Sequence, residues 1–387
     1  MRIVRVANFV TATSGGLRTA LHQLGAGYRA AGHDTTLIVP GATAGDVMTE
    51  QGRVVTIPGP VVPGMGGYRV LLDRARVAIL LSRLRPQRVE VHDRSTLRWI
   101  GGWARQMRIP AMMISHESLA GLLGQLGPGR MPSGRIADRL NARTAEGFDL
   151  VVCTTAWSTA EFARIGATNV TRAPLGVDLD TFSPGRYDPA LRRRYAAGDE
   201  HLLVHCGRLS MEKKPRRSLA TLAALRGSGV PAVLVVAGTG PMESAMRAEA
   251  EWRGLPVRFT GHLGDRRELG ALLATADVVL APSPIETFGL AALEALASGT
   301  PVVVSADSAL PEVIGDAGIA ARDGGHRYAV AVRRLLARPV SDRRAAARGQ
   351  AEQYPWSAAV TAFLQAHEIA ADRMHALTKS GASVSSG

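Results

Sequence analysis

The sequence predicts an α/β protein of two domains, each a parallel sheet with helices packed on both faces. Three observations point there. Strand-like and helix-like patterns alternate along the chain in two successive runs, as βαβ units require. At 387 residues the chain suits two domains that each bury a core of their own. Aromatic residues make up only 5% of it while Gly, Ala, Val and Leu dominate, a balance that favours close-packed α/β layers over a β-sandwich.

In the first run, Ile3-Val-Arg-Val-Ala reads as a strand and Ser14-Gly-Gly breaks the chain. Residues 17–31 then carry helical spacing, ended by Gly32-His33, and 35–40 form a second strand. Further strands are expected at 88–92, 111–115 and 150–154. The second run starts near residue 201, with strands expected at 202–206, 232–237, 257–260, 278–281 and 301–305. Between the runs, Pro174-Leu-Gly-Val-Asp-Leu-Asp-Thr-Phe-Ser-Pro184 is rich in turn residues and reads as a hinge, with a short helix after it at 191–196. The expected division is therefore 1–175 and 176–355, with a small polar tail over 376–387 that reads as disordered.

The net charge of +13 is uneven: residues 1–175 hold 21 Arg and no Lys against 11 acids, and so carry +10 of it. A basic first half can meet an anionic membrane, a phosphorylated acceptor or nucleic acid, but it equally suits an Arg-rich solvated surface. No DNA- or RNA-binding motif supports the nucleic-acid reading. Residues 68–85 mix apolar positions at helical spacing with arginines: a crossover helix on the sheet, or a basic amphipathic surface for lipid headgroups. Cys153 and Cys206 lie in strand-like apolar runs and read as small buried hydrophobes. The chain runs from Met1 straight into a strand, and no apolar run is long enough to span a bilayer, so a cytoplasmic location is expected.

Chemistry concentrates in three segments. In Pro282-Ser-Pro-Ile-Glu-Thr-Phe-Gly-Leu-Ala-Ala-Leu-Glu, a strand gives way to a loop bearing Glu286 and then a helix expected from 289 to 298, capped by Thr287. The amides of Phe288, Gly289 and Leu290 would face the carboxyl end of the sheet, where helix starts attract phosphate and donate to sugar hydroxyls. Glu294 lies about two turns into that helix, so each carboxylate can hold a different part of one ligand. In Val204-His-Cys-Gly-Arg-Leu-Ser-Met-Glu-Lys-Lys, Arg208 and Lys213 follow a strand; taken alone they read as surface charges at a strand–helix junction, and in a nucleotide site they would neutralise a diphosphate as it leaves. Gly15 and Gly16 open the first helix and permit close approach to a phosphate or sugar, although the spacing is not a dinucleotide fingerprint. His116 follows a strand in Met113-Ile-Ser-His-Glu, and His92-Asp93 follow the strand before it; either can be a site residue or a buried structural group. Asp178-Leu-Asp180 has the look of a metal motif, but turn and helix capping is the better reading.

Together these segments resemble the retaining glycosyltransferases of family 4, with the GT-B fold: two Rossmann-like domains whose parallel sheets face each other across a cleft. Glu286 and Glu294, the Gly207-Arg208 to Lys213 segment and the hinge motif recur there in this order. Within that group the chain is similar to GDP-mannose-dependent phosphatidylinositol dimannoside α-mannosyltransferases. The likeness rests on Ser-Gly-Gly-Leu-Arg-Thr-Ala (14–20), Met-Ile-Ser-His-Glu (113–117), Asn-Ala-Arg-Thr-Ala (141–145) and Glu-Thr-Phe-Gly-Leu-Ala-Ala-Leu-Glu (286–294), among others.

The resemblance implies an acceptor-binding first domain, a nucleotide-sugar-binding second domain and a helix over 356–375 that crosses back to the first. It implies that Arg208 and Lys213 bind the diphosphate and Glu294 the ribose. Glu286 and the amides after it would hold the mannose, with Gly15, Gly16 and His116 closing from the first domain. No metal or other cofactor is expected, GDP-mannose being a substrate. A glycolipid acceptor would place the enzyme at the inner face of the membrane. A UDP-linked donor or a soluble acceptor is the alternative, and a nucleotide-binding module without transfer activity is a rival from another class. Leu175 and Lys214 depart from the Asn and Gly common at those positions.

Overall fold

The structure, a computed structural model, describes residues 1–11, 15–63, 67–124 and 133–384. The chain divides into two compact units, Met1–Leu175 with Trp356–Gly387, and Gly176–Pro355.

The first unit is built on eight strands: β1 Arg2–Val6, β2 Asp34–Gly41, β3 Gly45–Thr49, β4 Gly52–Pro58, β5 Arg88–Val91, β6 Ala111–Ser115, β7 Leu150–Cys153 and β8 Val170–Arg172. Their order is β3-β4-β2-β1-β5-β6-β7-β8, and only the β3–β4 pair is antiparallel. The β3–β4 hairpin and β8 were not anticipated from the sequence. β3 (Gly-Asp-Val-Met-Thr) lies exposed at one edge and β8 is three residues long at the other, so neither carries the apolar run of an interior strand. Interior strands β1, β5, β6 and β7 are buried on both faces, and Val4, Val6, Val89, Val91, Met113 and Val151 pack with Leu81, Leu97, Ile100 and Phe162 into one core.

The second unit holds six strands: β9 His201–Cys206, β10 Ala232–Ala237, β11 Val257–Gly261, β12 Val278–Ala281, β13 Val302–Ser305 and β14 Gly318–Ala321. All pairs are parallel, in the order β11-β10-β9-β12-β13-β14, which is the doubly wound nucleotide-binding arrangement. Its core joins Leu203, Leu234, Val236, Leu280 and Val303 to Leu219, Leu222, Tyr328 and Val332 of the covering helices. β14 was missed because Gly-Ile-Ala-Ala has little strand character. Both sheets expected from the alternating pattern are thus present.

Two helices differ from expectation. The stretch read as helical over 68–85 is helical only over Arg74–Leu84, because the Asp73 carboxylate caps its start by accepting from the Arg76 amide at 2.9 Å. The final helix runs Trp356–Val384, continuing into the 376–387 stretch read as a tail, of which 385–387 lie outside the described residues. The cysteines are free, and burial pushes the Cys153 thiol up to about 11 and that of Cys206 up to about 12, as suits inert apolar fillers. Asp178 accepts from the amides of Asp180 and Thr181 at 3.1 and 2.9 Å, which is the turn-forming use expected of it.

Candidate active site

In the second unit the strand order reverses between β9 and β12, and ligands of such sheets bind in the crevice outside the carboxyl ends at that point. The loops leaving those two strands carry the expected residues. After β9, Gly207 and Arg208 lead into a short 3-10 turn, Met211–Lys213. After β12, residues 282–289 carry Glu286. The Lys213 Nζ donates to Glu286 Oε1 at 2.5 Å, so the two loops are joined by an ion pair that stays partly open to solvent.

Backbone packing fixes both loops. Leu209 N donates to Thr239 O and Met242 N to Leu209 O, at 3.0 and 2.9 Å, so the loop after β10 cradles the Arg208 segment. Gly238 must be glycine: a Cβ there would stand 1.9 Å from the Gly207 carbonyl oxygen. The turn Ala237-Gly-Thr-Gly-Pro241 serves this close approach. Ala309 N donates to Glu286 O at 2.9 Å and anchors the other loop.

The helix after Glu286 spans Leu290–Ala297, and its N-cap is Gly289 in the left-handed region at φ +82. Thr287 therefore does not cap it, contrary to expectation. A Cβ on Gly289 would meet Leu310 Cδ2 at 2.1 Å, so the chain turns tightly here with no room for a side chain. Ala292 and Leu293 are the first to bond back to the Gly289 carbonyl, which puts the Leu290 and Ala291 amides in the first turn, at the positive end of the helix. Phe288 is buried and meets Tyr354 edge-on with ring centroids 5.9 Å apart, so its side chain pins the loop. Lys214, where Gly is common in the related group, holds φ +51.

Glu294 is only 6% exposed, and Arg266 NH2 donates to its Oε1 at 2.8 Å. Burial raises the Glu294 carboxyl above its ordinary value, and the neighbouring guanidinium works against that rise. Arg266 opens helix Arg266–Thr275 and lies over the Phe182 ring at 4.8 Å. The sequence reading missed Arg266. Asp265 marks a helix start, its carboxylate accepting from the Arg267 amide at 2.8 Å, but nothing local joins that start to a residue 28 positions away.

In the first unit the order reverses between β1 and β5. Gly15 caps helix Gly16–Ala30 after β1 at an ordinary φ of −82, and a Cβ on it would meet nothing within 4 Å. Residues 12–14, including the Ser14 of the expected motif, lie outside the described residues. His92 follows β5 and His116 follows β6; His92 Nδ1 and His116 Nε2 are 2.8 Å apart. His92 Nε2 lies 3.1 Å from Glu90 Oε2. Burial lowers the His116 imidazole to about 3 and depresses His92 as well. Asp93 is structural: it accepts from the amides of Ser95 and Thr96 at 2.8 and 3.1 Å and from Asn8 Nδ2 at 2.9 Å.

Comparison with known proteins gives this arrangement its context. Residues 188–353 match the family described as Glycosyl transferases group 1, and residues 15–178 match the Glycosyl transferase 4-like domain. Over 366 residues the chain is 50% identical to the GDP-mannose-dependent alpha-(1-6)-phosphatidylinositol dimannoside mannosyltransferase of Mycobacterium tuberculosis strain ATCC 25177 / H37Ra. That alignment covers 94% of this chain and 95% of the relative. The chain belongs to the group 1 glycosyl transferases.

This glycosyltransferase is also 30% identical over 410 residues to a glycogen synthase of Mycobacterium tuberculosis strain CDC 1551 / Oshkosh, covering 96% of this chain and 95% of that one. Among solved structures it is similar to sucrose-phosphate synthase from Thermosynechococcus elongatus, with a TM-score of 0.75 at 20% identity over 94% of this chain and 98% of that chain. A glycosyltransferase from Rickettsia africae matches with a TM-score of 0.71 at 15% identity, over 95% and 98% of the two chains. Those likenesses bear on the fold alone, a GT-B type built of two Rossmann-like domains.

Within the glycosyltransferase, Asn141 of the 141–145 motif belongs to a buried hydrogen-bond chain. Arg94 NH1 donates to Asn141 Oδ1 at 2.9 Å, Asn141 Nδ2 donates to Glu161 Oε2 at 3.1 Å, and the Ser118 hydroxyl donates to Glu161 Oε1. This buried chain fixes the segment that carries His116. After His116, Leu119–Gly124 is helical, residues 125–132 lie outside the described residues, and helix Ser133–Gly147 follows.

Proposed function

We propose that this glycosyltransferase transfers an α-mannosyl residue from GDP-mannose to a phosphatidylinositol mannoside or related glycolipid, with retention at the anomeric carbon. One observation carries the donor half of this reading: the Lys213–Glu286 ion pair joins the two loops at the switch point of a doubly wound sheet, with Arg208 on the first loop and helix Leu290–Ala297 following the second. The kinship to a GDP-mannose-dependent enzyme over 94% of the chain supports the choice of donor and acceptor.

In this reading Arg208 and Lys213 bind the diphosphate, and the Phe288, Gly289 and Leu290 amides lie beside it. As the sugar leaves, negative charge grows on the diphosphate, and these fixed cations and dipoles stabilise it without reorganising. That positive charge comes from the chain itself, so the reaction is proposed to need no metal ion. Glu294, held in place by Arg266, accepts from the ribose hydroxyls, and Glu286 accepts from the mannose. Both carboxylates are already engaged by cations, which favours front-face attack by the acceptor hydroxyl over a covalent glycosyl-enzyme. Gly15, Gly16 and His116 act from the first domain, which takes the acceptor.

Among the described residues no helix is long and apolar enough to cross a membrane. We propose a cytoplasmic enzyme held peripherally at the inner face. Helix Arg74–Leu84 supports this: it buries Val77 and Leu81, while Ile79 is 54% exposed beside Arg83, Arg85, Trp103 and the 51% exposed Met107, a mixed apolar and basic surface suited to anionic headgroups. Binding to nucleic acid is not part of the proposal.

The test is to offer the protein GDP-mannose and UDP-linked sugars with phosphatidylinositol mannosides and soluble acceptors. A mannosylated lipid made only from GDP-mannose supports the reading; robust transfer from a UDP-sugar alone, or to a soluble acceptor alone, overturns it. Salt-sensitive binding to anionic liposomes and not to oligonucleotides is the expected result for the membrane contact, and equal binding to both would refute it.

A further inference from the structure

Two charged residues stand side by side inside the first sheet. Arg5 of β1 is in register with Glu90 of β5, and both are fully buried between apolar strands. The Arg5 guanidinium donates to the carbonyls of Leu21 and Gln51 and to the Thr35 hydroxyl, which leaves Glu90 to gather donors of its own. Its Oε1 accepts from the Tyr28 hydroxyl at 2.6 Å and faces His367 Nε2, from the final helix, at 2.8 Å. Its Oε2 faces His92 Nε2, and His92 Nδ1 in turn faces His116 Nε2.

Elementary hydrogen-bond bookkeeping gives this row one polarity. An ionised carboxylate only accepts, so His92 and His367 each carry their proton on Nε2. A neutral His92 then offers a bare Nδ1, which takes the Nε2 proton of His116. His116 is then the tautomer whose Nδ1 accepts and does not donate.

We infer that Glu90, acting through His92, fixes His116 in the tautomer that donates from Nε2 and can only accept at Nδ1. Glu90 and His92 are positioning residues, and His116 is the group that meets the sugar. The inference rests on the proposed transferase reading only for what His116 touches.

The opposite polarity requires a protonated His92, which would donate from Nδ1 and turn His116 into an Nδ1–H donor. The surroundings oppose it. Desolvation lowers both imidazoles, Arg5 lies near His92 and Arg94 near His116, and together these outweigh the Glu90 carboxylate, which by itself favours a charged His92. Tyr28, likewise buried against Glu90, stays a phenol and so remains a donor.

The decisive measurement needs no substrate. Nitrogen-15 NMR of the full chain, labelled at histidine and assigned by single His→Gln variants, reports which ring nitrogen carries each proton near pH 7.5. The expected result is Nε2–H on His92, His116 and His367; an Nδ1–H tautomer on His116 overturns the inference. Glu90→Gln presents an amide that can donate to His92 Nε2 and so reverse the row. It should move the His116 proton to Nδ1 and lower kcat about 30- to 1,000-fold, less than the roughly 10⁴-fold loss from a wrong tautomer in a serine protease because one more ring intervenes. Donor KM should stay within about threefold, since the diphosphate cations are untouched. Folded Glu90→Gln with wild-type kcat refutes the positioning role. The rates are measured with whichever sugar nucleotide the enzyme turns over, so failure with GDP-mannose would count against the proposed donor while the tautomers still decide the relay.

Discussion

Lys213 and Glu286 stand 2.5 Å apart, joining the loops that leave two neighbouring strands of the second sheet. An ion pair half open to water contributes about 0–1 kcal/mol to stability, so its position at the sheet's switch point is better explained by chemistry than by folding. In the proposed reading the pair holds Lys213 near the diphosphate and Glu286 near the sugar.

Lys213→Ala and Glu286→Gln should therefore separate function from stability. Each is expected to lower kcat/KM by about 10²-fold or more, the usual cost of removing a group that meets developing charge. Melting temperatures should stay within a few degrees of wild type. Steady-state kinetics beside calorimetry decides it: a large loss of melting temperature would recast the pair as structural.

Arg266 makes the converse case. Its removal leaves Glu294 buried beside no cation, and the carboxyl, already raised by burial, would protonate or unfold its surroundings. Arg266→Ala should cost about 1–3 kcal/mol, below the value for a wholly buried pair because the Arg266 side chain is 38% exposed. It should also weaken GDP binding about tenfold, read as lost thermal protection by GDP. Unchanged protection would remove Glu294 from the nucleotide site.

Lys214 adopts φ +51, a left-handed conformation in which a side chain costs about 1 kcal/mol. Lys214→Gly relieves that strain but loosens the unfolded chain, so the expected change is a gain of about 0–1 kcal/mol with kcat kept. Chemical denaturation measures it. A clear loss of activity would show that the Lys214 ammonium itself serves the diphosphate.

Acid should unfold the protein early. Burial lowers His116 to about 3 and His205 to about 4, and depresses His92, against an ordinary value of 6.5. Between about pH 6.5 and 4 the unfolded chain binds more protons than the folded one, so stability is lost as pH falls. Glu90, held low by its donors, pushes the same way below its ordinary value of 4.5. Each such histidine steepens the slope by at most about 1.4 kcal/mol per pH unit. A melting temperature flat from pH 7 to 5 would show that these imidazoles are not buried neutral.

The sequence displayed the interior of both sheets and the loops that carry the proposed donor site. Ala232–Ala237, Ala-Val-Leu-Val-Val-Ala, is buried along its whole length, and its shortness and three valines mark it as a strand covered on both faces. Arg208, Lys213, Glu286 and Glu294 were legible because strand ends and a helix start bracket them. The edges were not: β3 is exposed and β14 has almost no β-branched residues, so their pairing is decided by the neighbouring strand. Arg266 and His367 gain their meaning from partners 28 and 277 positions away, which no local pattern carries. A signal did exist for the histidine row. Arg5 and Glu90 each interrupt an apolar strand, and two opposite charges set in buried strands call for each other and for further partners.

His367 reaches Glu90 from a helix that returns to the first unit only after the whole second unit has been laid down. During synthesis the strands from β1 to β8 leave the ribosome long before that helix exists, and domains generally fold as they emerge. Until translation passes residue 367, the Glu90 carboxylate lacks one of its donors and helix Gly16–Ala30 lacks a neighbour. The domain made first is thus completed last. A nascent chain stalled before that point carries the full donor loops but an unfinished sheet behind His116.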